Sequence, residues 1–158
     1  MGQIKFLTDR NLGKLTKWLR IIGYDTVYYA GNIDRSFLKR GAKERRVVLT
    51  RRRDMAGRSF LGRMFIVCSD RVSDQLSEII KEFSLELNPE KFLTICLTCN
   101  EKLEDIPKRD VESRVPPYVF QTQKNFRICP QCEKIFWPGT HKDNVLLYLK
   151  RHNLIHHP

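Results

Sequence analysis

The sequence predicts an α/β fold with a mostly parallel sheet, followed by a small zinc ribbon. Three observations predict it. Through the first half, short apolar runs alternate with segments of helical period, the pattern of a strand–helix sheet. Asn88-Pro89 then ends that alternation. Beyond it, Cys96-Leu97-Thr98-Cys99 and Cys129-Pro130-Gln131-Cys132 repeat one spacing across 29 intervening residues. The expected division is residues 1–88 for the α/β domain and 89–158 for the ribbon with a short C-terminal helix.

Taken in order, Ile4-Lys5-Phe6-Leu7 reads as a short buried strand. Arg10 to Ile22 carries Leu12, Leu15, Leu19 and Ile22 three or four apart, which predicts an amphipathic helix. Gly23 stands where a helix-ending glycine belongs. Thr26-Val27-Tyr28-Tyr29 is the second strand. Asp34 can N-cap a helix running to about Arg45, with Phe37, Leu38 and Ala42 inward. Val47-Val48-Leu49 and Met64-Phe65-Ile66-Val67 are the third and fourth strands. Ser73 or Asp74 is expected to cap a helix carrying Leu76, Ile79, Ile80 and Phe83. In the second half, Tyr118 to Phe120 reads as a strand, and Pro116-Pro117 is expected to break any helix between the cysteine pairs. Val145, Leu146 and Leu149 mark a closing helix over about Asp143 to His152.

Each C-x-x-C pair can present two thiolates from one tight turn, and two such turns close a tetrahedral four-sulfur site around Zn²⁺. Cys96, Cys99, Cys129 and Cys132 are therefore the expected metal ligands. The remaining cysteine, Cys68, follows an apolar run and is expected to be a buried small hydrophobe. The N-terminal stretch turns charged within five residues, so it offers no secretory apolar core, and no apolar run reaches the ~20 residues a membrane span needs. The expected compartment is the reducing cytoplasm, where paired cysteines hold metal instead of forming disulfides.

Charge narrows the partners. The chain carries a formal +11. Residues 1–88 hold 18 basic against 10 acidic side chains, and residues 89–158 hold 11 against 8. A basic globular domain commonly meets a polyanion, above all nucleic acid. Arg10, Lys14 and Lys17 lie on one helix face at spacings where like charges repel, and a polyanion is what such a face suits. Arg20 on the same helix and Arg51-Arg52-Arg53 after the third strand extend the set. These residues are expected to touch phosphates without reading sequence.

In an open parallel sheet, ligands bind beyond the carboxyl ends of the strands. Asp9, Asp34, Asp54 and Asp70 each follow a strand exit closely. Carboxylate oxygens suit Mg²⁺ or Mn²⁺, and such ions can hold a phosphodiester and activate water. For Asp34 and Asp74, helix capping is the favoured explanation of the carboxylate.

Here the residues reach a resemblance. Lys5-Phe6-Leu7-Thr8-Asp9-Arg10-Asn11-Leu12-Gly13-Lys14-Leu15-Thr16-Lys17-Trp18-Leu19-Arg20-Ile21-Ile22-Gly23-Tyr24-Asp25-Thr26 closely resembles the opening of the Mut-seven C-terminal RNase family. The likeness continues through Val48-Leu49-Thr50-Arg51, Asp74-Gln75-Leu76, both cysteine pairs and Ile135-Phe136-Trp137-Pro138-Gly139-Thr140-His141. It implies a PIN-like fold joined to a zinc ribbon, nuclease activity on RNA, and a divalent ion held by Asp9, Asp34 and Asp54. One position departs. The family's third motif resembles Thr-Arg-Asp-x-Asp, whereas this chain reads Thr50-Arg51-Arg52-Arg53-Asp54. A guanidinium at Arg52 cannot ligate a metal and competes for neighbouring carboxylates.

Three functions are compatible with this. The leading one is a Mg²⁺- or Mn²⁺-dependent endoribonuclease with a structural zinc ribbon. The alternative is a non-catalytic RNA-binding module with a degenerate acidic site, and the third is a protein-interaction adaptor whose ribbon docks a partner. His141 is expected to make a loop hydrogen bond, since four sulfurs already fill a tetrahedral site. His152, His156 and His157 read as a tail, and Trp18 and Trp137 as packing residues, although Phe136-Trp137 could stack a base.

Overall fold

A computed structural model describes residues 2–58 and 60–155 of the chain, so His156 and His157 lie outside the described residues. Four short strands form the central sheet: β1 (Phe6–Thr8), β2 (Thr26–Tyr28), β3 (Val47–Thr50) and β4 (Met64–Ile66). Their order is β2-β1-β3-β4, and every pairing is parallel. The helices are α1 (Gly13–Ile21), α2 (Arg35–Lys43), α3 (Val72–Phe83), α4 (Pro117–Thr122) and α5 (His141–Arg151). The α/β class and the parallel sheet agree with the strand–helix alternation of the sequence.

Alternation along the strands sets up two cores, because successive side chains leave opposite faces. Phe6, Val47 and Leu49 join Leu15 and Leu19 of α1, Leu76 and Ile79 of α3, and Val145 and Leu149 of α5. Leu7 and Val48 point the other way, onto Phe37 and Leu38 of α2. Helix α2 approaches so closely that a Cβ on Gly41 would collide with Val48. Helix α5, expected to close the ribbon, lies against the first core, where Tyr148 stacks on Trp18 at 4.0 Å between ring centroids. The chain order places β1 and β3 side by side with their crossovers on opposite faces. Their exits therefore form the switch point at which such sheets open a crevice.

Helix ends explain most departures from the sequence pattern. The segment after β1 begins as a 3-10 turn over Arg10–Leu12, because the Asp9 side chain accepts the Asn11 N–H at 2.7 Å. Gly23 adopts φ 95°, and a Cβ there would sit 2.7 Å from the Lys91 carbonyl oxygen. Asp34 caps α2 as expected, accepting from Ser36 N at 2.9 Å and Phe37 N at 3.4 Å. Neither Ser73 nor Asp74 caps α3. Arg71 holds the cap position without a side-chain bond, and Asp74 falls in the first turn, where a carboxylate suits the positive helix end.

The ribbon carries an antiparallel sheet of β5 (Glu104–Ile106), β6 (Phe126–Ile128) and β7 (Ile135–Phe136) in that order. Tyr118–Phe120 is not a strand but part of α4. Pro117 opens that helix at its first position, where the missing N–H is one of the groups a helix start leaves unpaired anyway. Cys68 is exposed, not buried, since β4 is an edge strand and Cys68 lies just past its end.

Candidate metal centre and strand-edge site

Cys96, Cys99, Cys129 and Cys132 bring their four sulfurs within 4.8 Å of one another. All four are free thiols, and Cys96 Sγ lies 3.8 Å from Cys132 Sγ. A tetrahedron with metal–sulfur bonds of about 2.3 Å has an edge of about 3.8 Å, so the cluster fits a cation such as Zn²⁺. The two turns are built alike. Cys99 N points at Cys96 Sγ at 3.4 Å, and Cys132 N at Cys129 Sγ at 3.5 Å. Asn100 and Glu133 then turn left-handed at φ 63° and 61°, and their N–H groups return to the Cys96 and Cys129 carbonyls, both at 2.9 Å. Burial and the crowd of neighbouring thiols push the Cys99 thiol up to about 12, whereas the Lys134 backbone holds Cys132 down to about 7. His141 stays outside the cluster at the first position of α5, its N–H bonded to the Pro138 carbonyl.

The first turn is tied to the central sheet. The Asn100 side chain accepts from Thr26 N at 2.9 Å and donates to Asp25 Oδ1 at 2.6 Å, so it closes the open edge of β2. Arg46 donates to the same carboxylate oxygen at 2.7 Å. Burial would raise the Asp25 carboxyl, but these two donors outweigh it and hold it below the usual carboxylate range. Arg20 adds a second tie, donating to the Thr26 carbonyl at 2.9 Å and the Leu97 carbonyl at 2.7 Å. At 7% exposure, with two of its donors on carbonyls, Arg20 is a strut between helix and ribbon, a role its charge did not suggest. Burial lowers its pKa, partly offset by the field of Cys96 and Asp25.

At the switch point, Asp9 is fully buried. Its Oδ2 accepts from Thr50 Oγ1 at 2.6 Å and Arg51 N at 3.0 Å, while Oδ1 accepts from Asn11 N. Thr50 Oγ1 also accepts from Arg52 N at 3.1 Å, so the hydroxyl threads the β3 exit loop onto Asp9. Arg52 then turns its guanidinium outward across the site. It grips both oxygens of Asp54, at 3.0 and 2.5 Å, and donates to the Ile33 carbonyl at 3.2 Å, one residue before Asp34. The pair shifts both partners: the Arg52 donors hold Asp54 low, and Asp54 raises Arg52. Asp70 is held low likewise by Arg51, 2.7 Å away.

The expected convergence of Asp9, Asp34 and Asp54 on one ion is therefore not assembled. Among the described residues, the four cysteines are the one group of three or more potential ligands with their donor atoms together. Asp9 is spent on three N–H or O–H donors, Asp34 on a helix end and Asp54 on Arg52. As arranged, Arg52 holds Asp54 away from a shared ion, so Mg²⁺ or Mn²⁺ would need that pair opened first.

The basic residues surround two hollows that share Gly13 and Lys14 in their linings. One, of about 640 Å³, lies beside the β3 and β4 exits and is lined by Asn11, Lys14, Arg51, Asp70, Arg71 and Gln75, among others. The second, of about 460 Å³, runs between α1 and the first cysteine turn. Arg10, Lys14 and Lys17 are exposed, as are Arg52 and Arg53, and Arg51 is half-buried.

A family model for the Mut7-C RNAse domain matches residues 4–149. The chain belongs to that family. No curated protein and no solved structure matches the chain at a significant level. Membership gives the Mut7-C chain a nuclease-like character and makes RNA the substrate class its family name points to. No helix among the described residues is long and apolar enough to cross a membrane.

Sequence reasoning missed three residues of this Mut7-C site. Thr50 closes Asp9, and its position at the end of an apolar strand was the available signal. Asn100, directly after the first cysteine pair, holds a left-handed turn that asparagine tolerates. Arg71 lines the strand-edge cleft from the cap position of α3.

Proposed function

We propose that this Mut7-C domain engages RNA along the basic strand-exit edge and hydrolyses its phosphodiester bonds with the help of Mg²⁺ or Mn²⁺. The observation that carries the reading is the cleft beside the β3 and β4 exits, lined by Lys14, Arg51 and Arg71; its lining residues Asn11 and Arg51 donate their backbone N–H groups to Asp9. Phosphate oxygens suit those three cations, and a cleft at this point of a parallel sheet is where its ligand belongs. The divalent ion, when bound, would supply charge neutralisation and an activated water. Asp9, Asp34 and Asp54 are the residues proposed to hold it, after Asp54 leaves Arg52. Zn²⁺ in the four-cysteine cluster is proposed as structural, and the free thiols suit a reducing cytoplasm.

One observation favours the second reading, an RNA-binding module without cleavage. Arg52 lies between Asp54 and the Ile33 carbonyl, its own positive charge raised in pKa by Asp54 and Asp9. Incubating the zinc-loaded protein with a panel of structured and unstructured RNAs, with Mn²⁺ added and with free divalent ions dialysed away, separates the two. Cleavage that needs added Mn²⁺ and is lost in Asp54→Asn supports the nuclease. Salt-sensitive binding with no cleavage, in wild type and in Arg52→Asp alike, selects the binding module. No affinity for any RNA at low salt removes both.

A further inference from the structure

We infer that the groove between α1 and the first cysteine turn is a second RNA subsite, in which single-stranded RNA leaving the strand-edge cleft stacks one base on Tyr28. The inference rests on the RNA reading above and extends it to the ribbon. The two hollows share Gly13 and Lys14 in their linings, so a strand crossing Lys14 passes from one to the other without leaving the surface. Beyond Lys14 the groove is lined by Lys17, Arg20, Tyr28, Leu97 and Thr98. Lys17 is exposed and available to a phosphate. Arg20, although buried, keeps a positive charge beneath the groove, where no carboxylate lines the wall.

Tyr28 has the properties of a stacking platform. It is one of the few exposed large hydrophobic side chains, at 38%. Its hydroxyl donates to the Arg10 carbonyl at 2.8 Å, and its ring lies beside Gly13, so it is held in place before any ligand arrives. An aromatic face next to a tracking row of cations is how single strands are bound without sequence preference. The first cysteine turn supplies the opposite wall through Leu97 and Thr98, and its ties to β2 through Asn100 and Arg20 fix the groove width. A duplex presents no unstacked base to Tyr28, so the occupant is single-stranded.

The test uses the zinc-loaded full chain with labelled oligouridylates of 4 and 12 nucleotides, without added divalent ion, at one fixed salt concentration. Wild type is expected to bind the longer strand more tightly by more than the statistical gain in registers. Tyr28→Ala should remove about tenfold of affinity for the 12-mer and Lys17→Glu a similar amount, while both leave the 4-mer unchanged. Tyr28→Phe keeps the ring but loses the hydroxyl tether, and should lose much less affinity than Tyr28→Ala, which separates stacking from folding. Lys14→Glu, shared by both hollows, should weaken both lengths. The inference is overturned if Tyr28→Ala and Lys17→Glu, both shown folded by thermal melting, keep the full advantage for the 12-mer. It is also overturned if a 12-base-pair duplex binds as well as the single strand. If wild type binds neither length at low salt, the underlying RNA reading fails instead.

Discussion

In the ribbon, four thiols gather around a common centre, and no cationic side chain among the described residues bonds to their sulfurs. At the sheet edge, four carboxylates follow four strands, yet each is already committed: Asp9 to Thr50 and two backbone N–H groups, Asp34 to a helix end, Asp54 to Arg52 and Asp70 to Arg51. Both regions hold ligand residues at sensible spacings. The difference lies in who satisfies them. A short loop fixes its own two thiols, and no cationic side chain among the described residues bonds to them. Carboxylates on separate loops are general hydrogen-bond acceptors, and this chain supplies three successive arginines beside them.

Four changes break or sharpen that contrast, the largest first. Cys99→Ser should release the zinc, whose binding is worth on the order of 10 kcal/mol of folding free energy in comparable small sites. Elemental analysis should find no metal, and hydrogen exchange should rise sharply over 94–137 while β1 and β3 stay protected. Retained zinc with unchanged exchange would deny that the cluster is the ribbon's staple.

Thr50→Val comes next. It keeps the shape of the β3 exit but strips one donor from the fully buried Asp9 carboxylate and one acceptor from Arg52 N. A bond to a buried charged group is worth about 2–3 kcal/mol. Urea unfolding should register a loss of that order with zinc content unchanged.

Asn100→Gly isolates the tie between ribbon and sheet, because glycine accepts the left-handed backbone and only the amide is removed. The expected loss is about 1–2 kcal/mol. It also carries a pH signature. Asp25 titrates below its usual range when folded, so its contribution is fully present above the ordinary carboxyl value of about 3.9 and fades as pH falls through the lower folded value. Without Asn100 the folded value rises toward the ordinary one, so this contribution is smaller and its loss is complete at a higher pH. An acid-unfolding profile identical to wild type would show that Arg46 alone holds Asp25 down.

Asp70→Asn should change least. Asp70 is 91% exposed on its side chain, so water and salt screen the pair and it contributes little to stability. Stability should be unaltered while RNA affinity rises, since Arg51 is freed for phosphate. Affinity that stays level would place Arg51 outside the RNA path.

How much of this was legible depends on how local the determinant is. The cysteine cluster could be read directly, because each half is fixed within four residues. Asp34 as a cap and Gly23 as a helix end were legible for the same reason. Three features were not. The fate of Asp9 depends on Thr50, forty-one positions away and on another strand. Arg20 carries the charge of a phosphate contact, and only the approach of Leu97 across the ribbon reveals it as a strut. Pro116-Pro117 signals both a helix stop and a helix start, and the burial of Val119 against Val111 and Phe126 decides for the start. Arg52 was legible as a departure, but its grip on Asp54 required the folded β3 exit.

The contrast turns on Arg52 standing in for a cation at the acidic edge. The most direct measurement is the Mn²⁺ affinity of the zinc-loaded protein, read from free Mn²⁺ by electron paramagnetic resonance, for wild type and Arg52→Asp. Releasing Asp54 and adding a carboxylate should tighten Mn²⁺ binding by at least about tenfold, a gain of about 1.4 kcal/mol. Equal affinity in the two proteins, or a tight site in wild type that Asp54→Asn leaves intact, would contradict the account.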